Sequence, residues 1–134
     1  MALFETQLVL NSDLEDLRKV ETVIDDLNAA ADLGDEKYPN LLIAVTEAFN
    51  NAVLHGNKHD ANKKITVSAE AFNEGVVFKV ADEGEGFDYN NLPDPTDPVN
   101  IEKFNGRGVF LMNNLADSVE FNETGNEVTL KFLK

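Results

Sequence analysis

Two pairs of strand-like segments, each joined by a short turn, constrain the fold of this chain more than any other feature. Apolar and polar residues alternate over 64–72, 118–122 and 127–133, and the mostly apolar segment 76–82 has the length of a strand. Strand-like segments on both sides of a short turn predict an antiparallel hairpin. A chain built from hairpins forms a mostly antiparallel sheet rather than a repeated parallel βαβ unit.

A first strand at 3–10 and three helical segments complete the predicted elements. Ser12, with Glu15 three residues further on, has the spacing of a capping box at the start of the first helix. Apolar stripes, bounded by glycines and a proline, predict helices at about 12–33, 39–55 and 106–116. Helices on one face of such a sheet make an α+β fold, a two-layer sandwich, and the length suits a single domain over 1–134.

The composition excludes several classes of function. The chain has 25 acidic and 11 basic residues, a net charge of −14 and no cysteine. A basic face for nucleic-acid phosphates is therefore not available, and anionic membranes would repel the protein. Without cysteine there are no disulfides and no thiolate metal sites, so we expect a cytoplasmic protein with neither a nucleic-acid nor a membrane partner.

The second predicted helix carries an isolated acid and an amide one turn apart. Glu47 is the only Asp, Glu, Lys or Arg between Tyr38 and Asn57, and Asn51 follows it on the side opposite the apolar face. This pattern fits either the solvated face of an amphipathic helix or the floor of a cleft. Apolar neighbours around Glu47 favour the cleft, in which a carboxylate can act as a general base.

An aspartate and two spaced glycines follow the second strand of the first hairpin. Asp82 has the same parity as Phe78 and Val80, which predicts a carboxylate on the covered face of the sheet. A buried carboxylate needs hydrogen-bond donors, and the exocyclic amine of a purine would serve. Gly84 and Gly86 would let the backbone approach a flat ligand, although a glycine-rich turn capped by Asp82 fits the same residues.

A second glycine pair lies at the start of the third predicted helix. Gly106, Arg107 and Gly108 would present N–H groups and the positive end of a helix to phosphate oxygens, or they would form a flexible turn. The preceding residues 88–105 contain three prolines and no sustained periodicity, which predicts a long irregular loop. Loops of this length in compact domains are often lids over a binding site.

Taken in this order, the three motifs resemble those of the GHKL nucleotide-binding superfamily, whose histidine-kinase-like ATPase domain has the Bergerat fold. Residues 47–56 look like its N box, and residues 82–86 and 106–111 look like its two glycine boxes. Within the superfamily, the acid at Glu47 and the chain length are similar to those of the anti-sigma factor serine/threonine kinases. The resemblance covers nearly the whole chain.

The resemblance implies a function and a set of site residues. ATP and Mg²⁺ would be bound, with Asn51 holding the ion, Asp82 selecting adenine, and Gly84, Gly86, Gly106, Arg107 and Gly108 contacting the nucleotide. Glu47 would be the general base that activates a serine or threonine hydroxyl. The implied partners are an anti-sigma antagonist, phosphorylated as substrate, and a sigma factor regulated by partner switching, with the kinase as a homodimer.

Two other functions fit the same residues. The family often has Gly-Thr before its last strand, whereas this chain has Gly125-Asn126, so an ATP-binding module that regulates a partner without phosphoryl transfer is an alternative. In a third interpretation the glycines only form turns and the acids only keep the protein in solution.

Overall fold

A computed structural model describes residues 2–58, 60, 62–86 and 104–134, with side chains from 108 onward in the last range. Five strands and three helices form its framework. The strands are β1 Phe4–Asn11, β2 Lys64–Phe72, β3 Gly75–Ala81, β4 Ser118–Phe121 and β5 Glu127–Leu133. The helices are α1 Leu17–Ala31, α2 Lys37–Asn51 and α3 Phe104–Leu115, with a 3₁₀ turn at Leu14–Asp16 and a π-helical turn at Ala52–Gly56.

The five strands form one sheet in the order β1-β2-β3-β5-β4, and every neighbouring pair is antiparallel. Both predicted hairpins are confirmed. The central strand is β3, where Phe78 lies opposite Ala69 of β2 on one side and Leu130 of β5 on the other. The end of β3 therefore lies beside strands from both halves of the chain.

The helices cover one face of this sheet. Alternate strand residues point inward and are buried, as at Val76, Phe78 and Val80 of β3, while Lys79 is exposed on the other face. The helices contribute fully buried side chains to the same core, including Ile24 and Phe49. Each large apolar side chain buried in this way stabilises the fold by about 1.5–3 kcal/mol. The predicted α+β two-layer sandwich is confirmed.

The predicted capping box at Ser12 is wrong. The Ser12 hydroxyl is buried and has no hydrogen-bond partner among the described residues. The N-cap residue of the 3₁₀ turn is Asp13 instead, because its backbone is extended and its Oδ1 accepts from Glu15 N at 2.9 Å. A 3₁₀ turn follows, so α1 begins only at Leu17. It ends at Ala31 rather than Leu33, because Asp32 adopts a left-handed conformation with φ 53°.

The other two helices also differ from prediction at their ends. Helix α2 begins at Lys37 and passes at Asn51 into the π-helical turn that ends at Gly56. Helix α3 begins at Phe104, which places Gly106 and Gly108 within the helix rather than before it. Across the described parts of the chain, every helix is too short or too polar to cross a bilayer.

We predict that Asp13→Ala lowers the free energy of unfolding by about 1 kcal/mol, the usual cost of losing an N-cap side chain. Ser12→Ala should leave stability unchanged or raise it, because the serine buries a hydroxyl without a partner. Urea denaturation of the two variants and the wild type measures both effects. A larger loss in Ser12→Ala than in Asp13→Ala would contradict the assignment of the cap.

Candidate functional site

A cavity that opens to solvent lies where α2, the end of β3, α3 and the β4–β5 hairpin meet, and the space between its walls and in its mouth amounts to about 500 Å³. Its apolar lining consists of Ala48, Ala52, Val80, Met112, Phe121 and Val128. Among the described residues, its polar lining consists of Asn51, His55, Asp82, Asn126 and Glu127, and glycines at positions 56, 86 and 125 also line it. An apolar cavity with a few convergent polar groups is typical of a small-molecule site.

Asp82 is the carboxylate at the end of the central strand. Its N–H donates to Asn126 O at 2.9 Å, which extends the pairing of β3 with β5 by one residue. Its Oδ1 accepts from Gly84 N at 2.7 Å. Burial raises the pKa of Asp82, and the hydrogen bond from Gly84 and the positive charge of Lys63 oppose that rise. The carboxylate lies on the covered side, as its parity predicted, and it also caps the turn, as the alternative proposed.

The glycines at the end of β3 pack against backbone. A Cβ at Gly84 would lie 2.0 Å from Gly56 O, and a Cβ at Gly56 would lie 2.3 Å from the Asp82 carboxyl carbon. Gly86 has φ +82°, and a Cβ there would lie 1.8 Å from Thr124 O. Side chains at these positions would push α2, β3 and the β4–β5 turn apart, so all three glycines determine the shape of the cavity.

Asn51, the last residue of α2, is a second polar residue of the cavity wall. Its Oδ1 is buried and receives no hydrogen bond from any described residue. Gly108 of α3 packs directly against it, because a Cβ there would lie 2.5 Å from Asn51 Nδ2. A buried carbonyl oxygen without a donor is suited to a hard cation. No cluster of three His, Asp or Glu side chains within the described ranges could hold a metal alone.

Glu47 lies one turn before Asn51 on α2 and is half-buried, but it is not among the described residues that line the cavity. Its apolar neighbours enclose it only in part, since Ala44 is buried while Ile43 is 45% exposed. The spacing of four residues places Glu47 on the same side of α2 as Asn51.

The remaining predicted positions are described only in part. The backbone of Gly106 and Arg107 lies in the first turn of α3, and nothing further is described of their side chains. The predicted lid at 88–105 lies outside the described residues, apart from its last two positions, which belong to α3.

Eleven of the fourteen described lining residues were not assigned a site role from the sequence, and those that bear on the polar end are His55, Gly56, Asn126 and Glu127. Gly56 belongs to the N-box segment, so the motif points to this residue, but the sequence predicts for it only the end of the helix. Asn126 enters the site through the pairing of β3 with β5, and local sequence patterns contain no information on that strand order.

Comparisons with known proteins agree with this geometry. The family described as "Histidine kinase-like ATPase domain" matches residues 10–132. The chain belongs to this family, which confirms its assignment to the GHKL superfamily.

Among individual proteins, the chain is 34% identical over 87 residues to "Serine-protein kinase RsbW" of Bacillus cereus (strain ATCC 10987 / NRS 248), a match that covers 60% of this chain and 54% of that protein. It is 32% identical over 102 residues to "Serine-protein kinase RsbW" of Bacillus subtilis (strain 168), covering 71% of this chain and 64% of that protein. The matches thus span less than two thirds of the length of these curated relatives.

We predict that Asp82→Asn raises the free energy of unfolding at neutral pH by up to about 1 kcal/mol, a small gain because water still reaches and screens this carboxylate. Burial raises the pKa of Asp82, so the folded protein takes up a proton here at a higher pH than the unfolded chain does. The ionised carboxylate therefore costs stability above the folded pKa. This cost decreases as the pH falls through the folded pKa and is gone below the ordinary pKa of aspartic acid.

Urea denaturation of both proteins, from neutral to acidic pH, measures this difference. Asp35→Asn serves as the control, because Asp35 is exposed and does not line the cavity. An advantage of Asp82→Asn that grows as the pH falls would contradict the predicted sign.

Proposed function

We propose that this protein is an ATP-dependent serine/threonine kinase that phosphorylates an anti-sigma antagonist and thereby regulates a sigma factor. The observation that carries the proposal is that one cavity is lined by both a half-buried carboxylate, Asp82, and the buried, unpartnered oxygen of Asn51. Membership of the ATPase family and similarity to proteins named serine-protein kinase support it.

Asp82 would recognise the base. Its ionised carboxylate is an acceptor, and the exocyclic amine of adenine is a donor that guanine lacks at the same ring position. Val80, Met112 and Phe121 line the cavity beside it and offer apolar surface to the faces of the ring. The hydrogen bond between Asp82 Oδ1 and Gly84 N orients the carboxylate before any ligand arrives.

Asn51 would serve the phosphate end. Its free Oδ1 fits Mg²⁺, which takes oxygen ligands and retains water and phosphate oxygens around a single protein ligand. When bound, Mg²⁺ supplies charge neutralisation for the phosphates. Gly108 holds the Asn51 amide in place by close packing, and the N–H of Gly106, in the first turn of α3, faces no acceptor within the helix. Arg107 would add positive charge.

Glu47 would act on the protein substrate. It accepts the proton of a serine or threonine hydroxyl while the hydroxyl oxygen bonds to the γ-phosphorus and the bond to the leaving ADP oxygen breaks. Its place one turn before Asn51, on the same side of α2, supports this role, because Asn51 would hold the ion at the phosphates. Positioning of the two reactants provides most of the rate enhancement.

The partners follow from the resemblance and the charge. A net charge of −14 disfavours nucleic acid and is suited to a basic surface on a protein partner. We propose the anti-sigma antagonist as substrate, the sigma factor as the second partner, a homodimeric kinase, and a cytoplasmic location.

A second candidate is an ATP-binding module that regulates its partner without transferring phosphate. It is favoured by Asn126, which occupies the position where the family often has a threonine hydroxyl. The amide oxygen of Asn126 accepts from Asn122 Nδ2 at 2.6 Å and from Thr124 Oγ1 at 3.0 Å within its own turn. Such a module would need Asp82 and Asn51 but not Glu47.

We predict that wild-type protein binds ATP saturably in the presence of Mg²⁺ and that Asp82→Asn weakens binding by about 100-fold, the loss of one hydrogen bond to a charged acceptor. Asn51→Ala should still bind ATP but should no longer respond to Mg²⁺. Calorimetric titration measures both affinities. Absence of binding by well-folded wild type would overturn both candidate functions.

We predict that Glu47→Gln retains ATP affinity and transfers phosphate to the antagonist about 10²–10⁴-fold more slowly, the usual contribution of a general base. Incorporation of γ-labelled phosphate into the partner measures the rate. Glu21→Gln, at an exposed glutamate on α1, is the matched control and should transfer at the wild-type rate. Unchanged transfer in Glu47→Gln would exclude this base, and ATP binding without transfer by wild type would establish the regulatory module.

A further inference from the structure

Asn57 is a buried polar residue that lies outside the proposed binding residues. It follows the π-helical turn after α2, and its N–H donates to Ala52 O at 2.8 Å. Only 1% of its surface is exposed. Full burial of an amide side chain is costly unless its donors and acceptors are paired, so the partners of Asn57 indicate what it contributes.

The Asn57 side chain ties together two other segments. Its Nδ2 donates to Lys64 O at 3.0 Å, and its Oδ1 accepts from Glu83 N at 2.8 Å. One partner can only accept and the other can only donate, so the orientation of the amide is determined. The Glu83 carboxylate closes the network by accepting from Lys64 N at 2.8 Å.

This network adjoins Asp82, the carboxylate that lines the cavity. Glu83 follows Asp82 in the chain, and Asn57 follows Gly56, whose α-carbon packs against the Asp82 carboxyl group. Two consecutive residues after α2 thus contact two consecutive residues after β3. On its other side, Asp82 is held by the hydrogen bond from its N–H to Asn126 O.

We propose that Asn57 is a positioning residue that sets how selectively Asp82 recognises the amine of the purine. Without the bond from Glu83 N to Asn57, the segment after Asp82 would lose its hydrogen-bonded link to the buried end of the π-helical turn, and it would keep the turn at Gly84, the 3.3 Å bond from Asn126 Nδ2 to Gly84 O and the exposed Glu83 side chain. A hydrogen-bonding group that can shift discriminates poorly between ligands with and without its partner group. The inference rests on the proposed ATP site and assigns to it a determinant of base selectivity.

The test compares the affinity for ATP with that for purine riboside triphosphate, which lacks the 6-amino group, by calorimetry at one Mg²⁺ concentration. We expect wild type to prefer ATP and Asn57→Ala to lose about tenfold of that preference, because small displacements of a positioned group have effects of this size. Glu83→Gln should keep the preference, since its amide oxygen still accepts from Lys64 N. Glu83→Ala should lose about threefold, since one of the two ties remains.

Asp117→Ala is the matched control for a loss of general stability. Asp117 Oδ2 accepts from Leu133 N at 2.7 Å and contacts Lys37 Nζ at 3.4 Å, so it also joins distant segments, but it does not line the cavity. We expect this variant to have a lower unfolding temperature and the wild-type preference for ATP.

The outcomes separate the two proposals. Wild type that binds neither nucleotide, or that binds both equally, overturns the proposed role of Asp82 itself. Wild type that prefers ATP, with a folded Asn57→Ala that shows the same preference, overturns the positioning role and leaves the ATP site intact. If Asn57→Ala does not fold, the same comparison is made with Asn57→Ser, whose shorter side chain cannot span both Lys64 O and Glu83 N, and an unchanged preference in that variant overturns the role equally.

Discussion

The π-helical turn after α2 packs directly against the segment after β3, and the rest of the site depends on this contact. Gly56 packs against the Asp82 carboxyl group, and Gly84 packs against the Gly56 carbonyl, both at distances that a Cβ would violate. The contact brings Asn51 and Asp82, which lie 31 positions apart in the chain, to one cavity. It also removes part of the water around Asp82, which raises the pKa of that carboxylate.

Three features of the cavity wall depart from the rules that favour stability. An amide oxygen of Asn51 is buried without a donor, the carboxylate of Asp82 is partly desolvated, and Gly86 adopts a positive φ. The first two features weaken an unliganded fold, and all three are useful to a ligand that supplies a cation, an amine donor or a close surface. The polar network of Asn57 differs, because all its bonds are made within the protein and it stiffens the site without a ligand.

Sequence patterns predicted the faces of the elements better than their ends. The parity that placed Asp82 with Phe78 and Val80 was correct, because alternation follows from strand geometry alone. The cap of the first helix was wrong because Ser12 and Asp13 are both good N-cap residues, and only the 3₁₀ turn after Asp13 decides between them. Helix α3 was predicted to start near Gly106 and begins two residues earlier, at Phe104, where Gly108 within the helix permits the close packing on Asn51.

The sequence by itself determined the kinds of elements, the buried side of each, and the three motifs that identify the family, because all of these depend on short-range spacing. Tertiary structure alone decided that β5 lies between β3 and β4, and hence that Asn126 borders Asp82. It also decided that Asn57 is buried and bonded to Glu83, a residue 26 positions away. These relations arise when the helices pack on the sheet, so they depend on contacts between distant segments that no local pattern encodes.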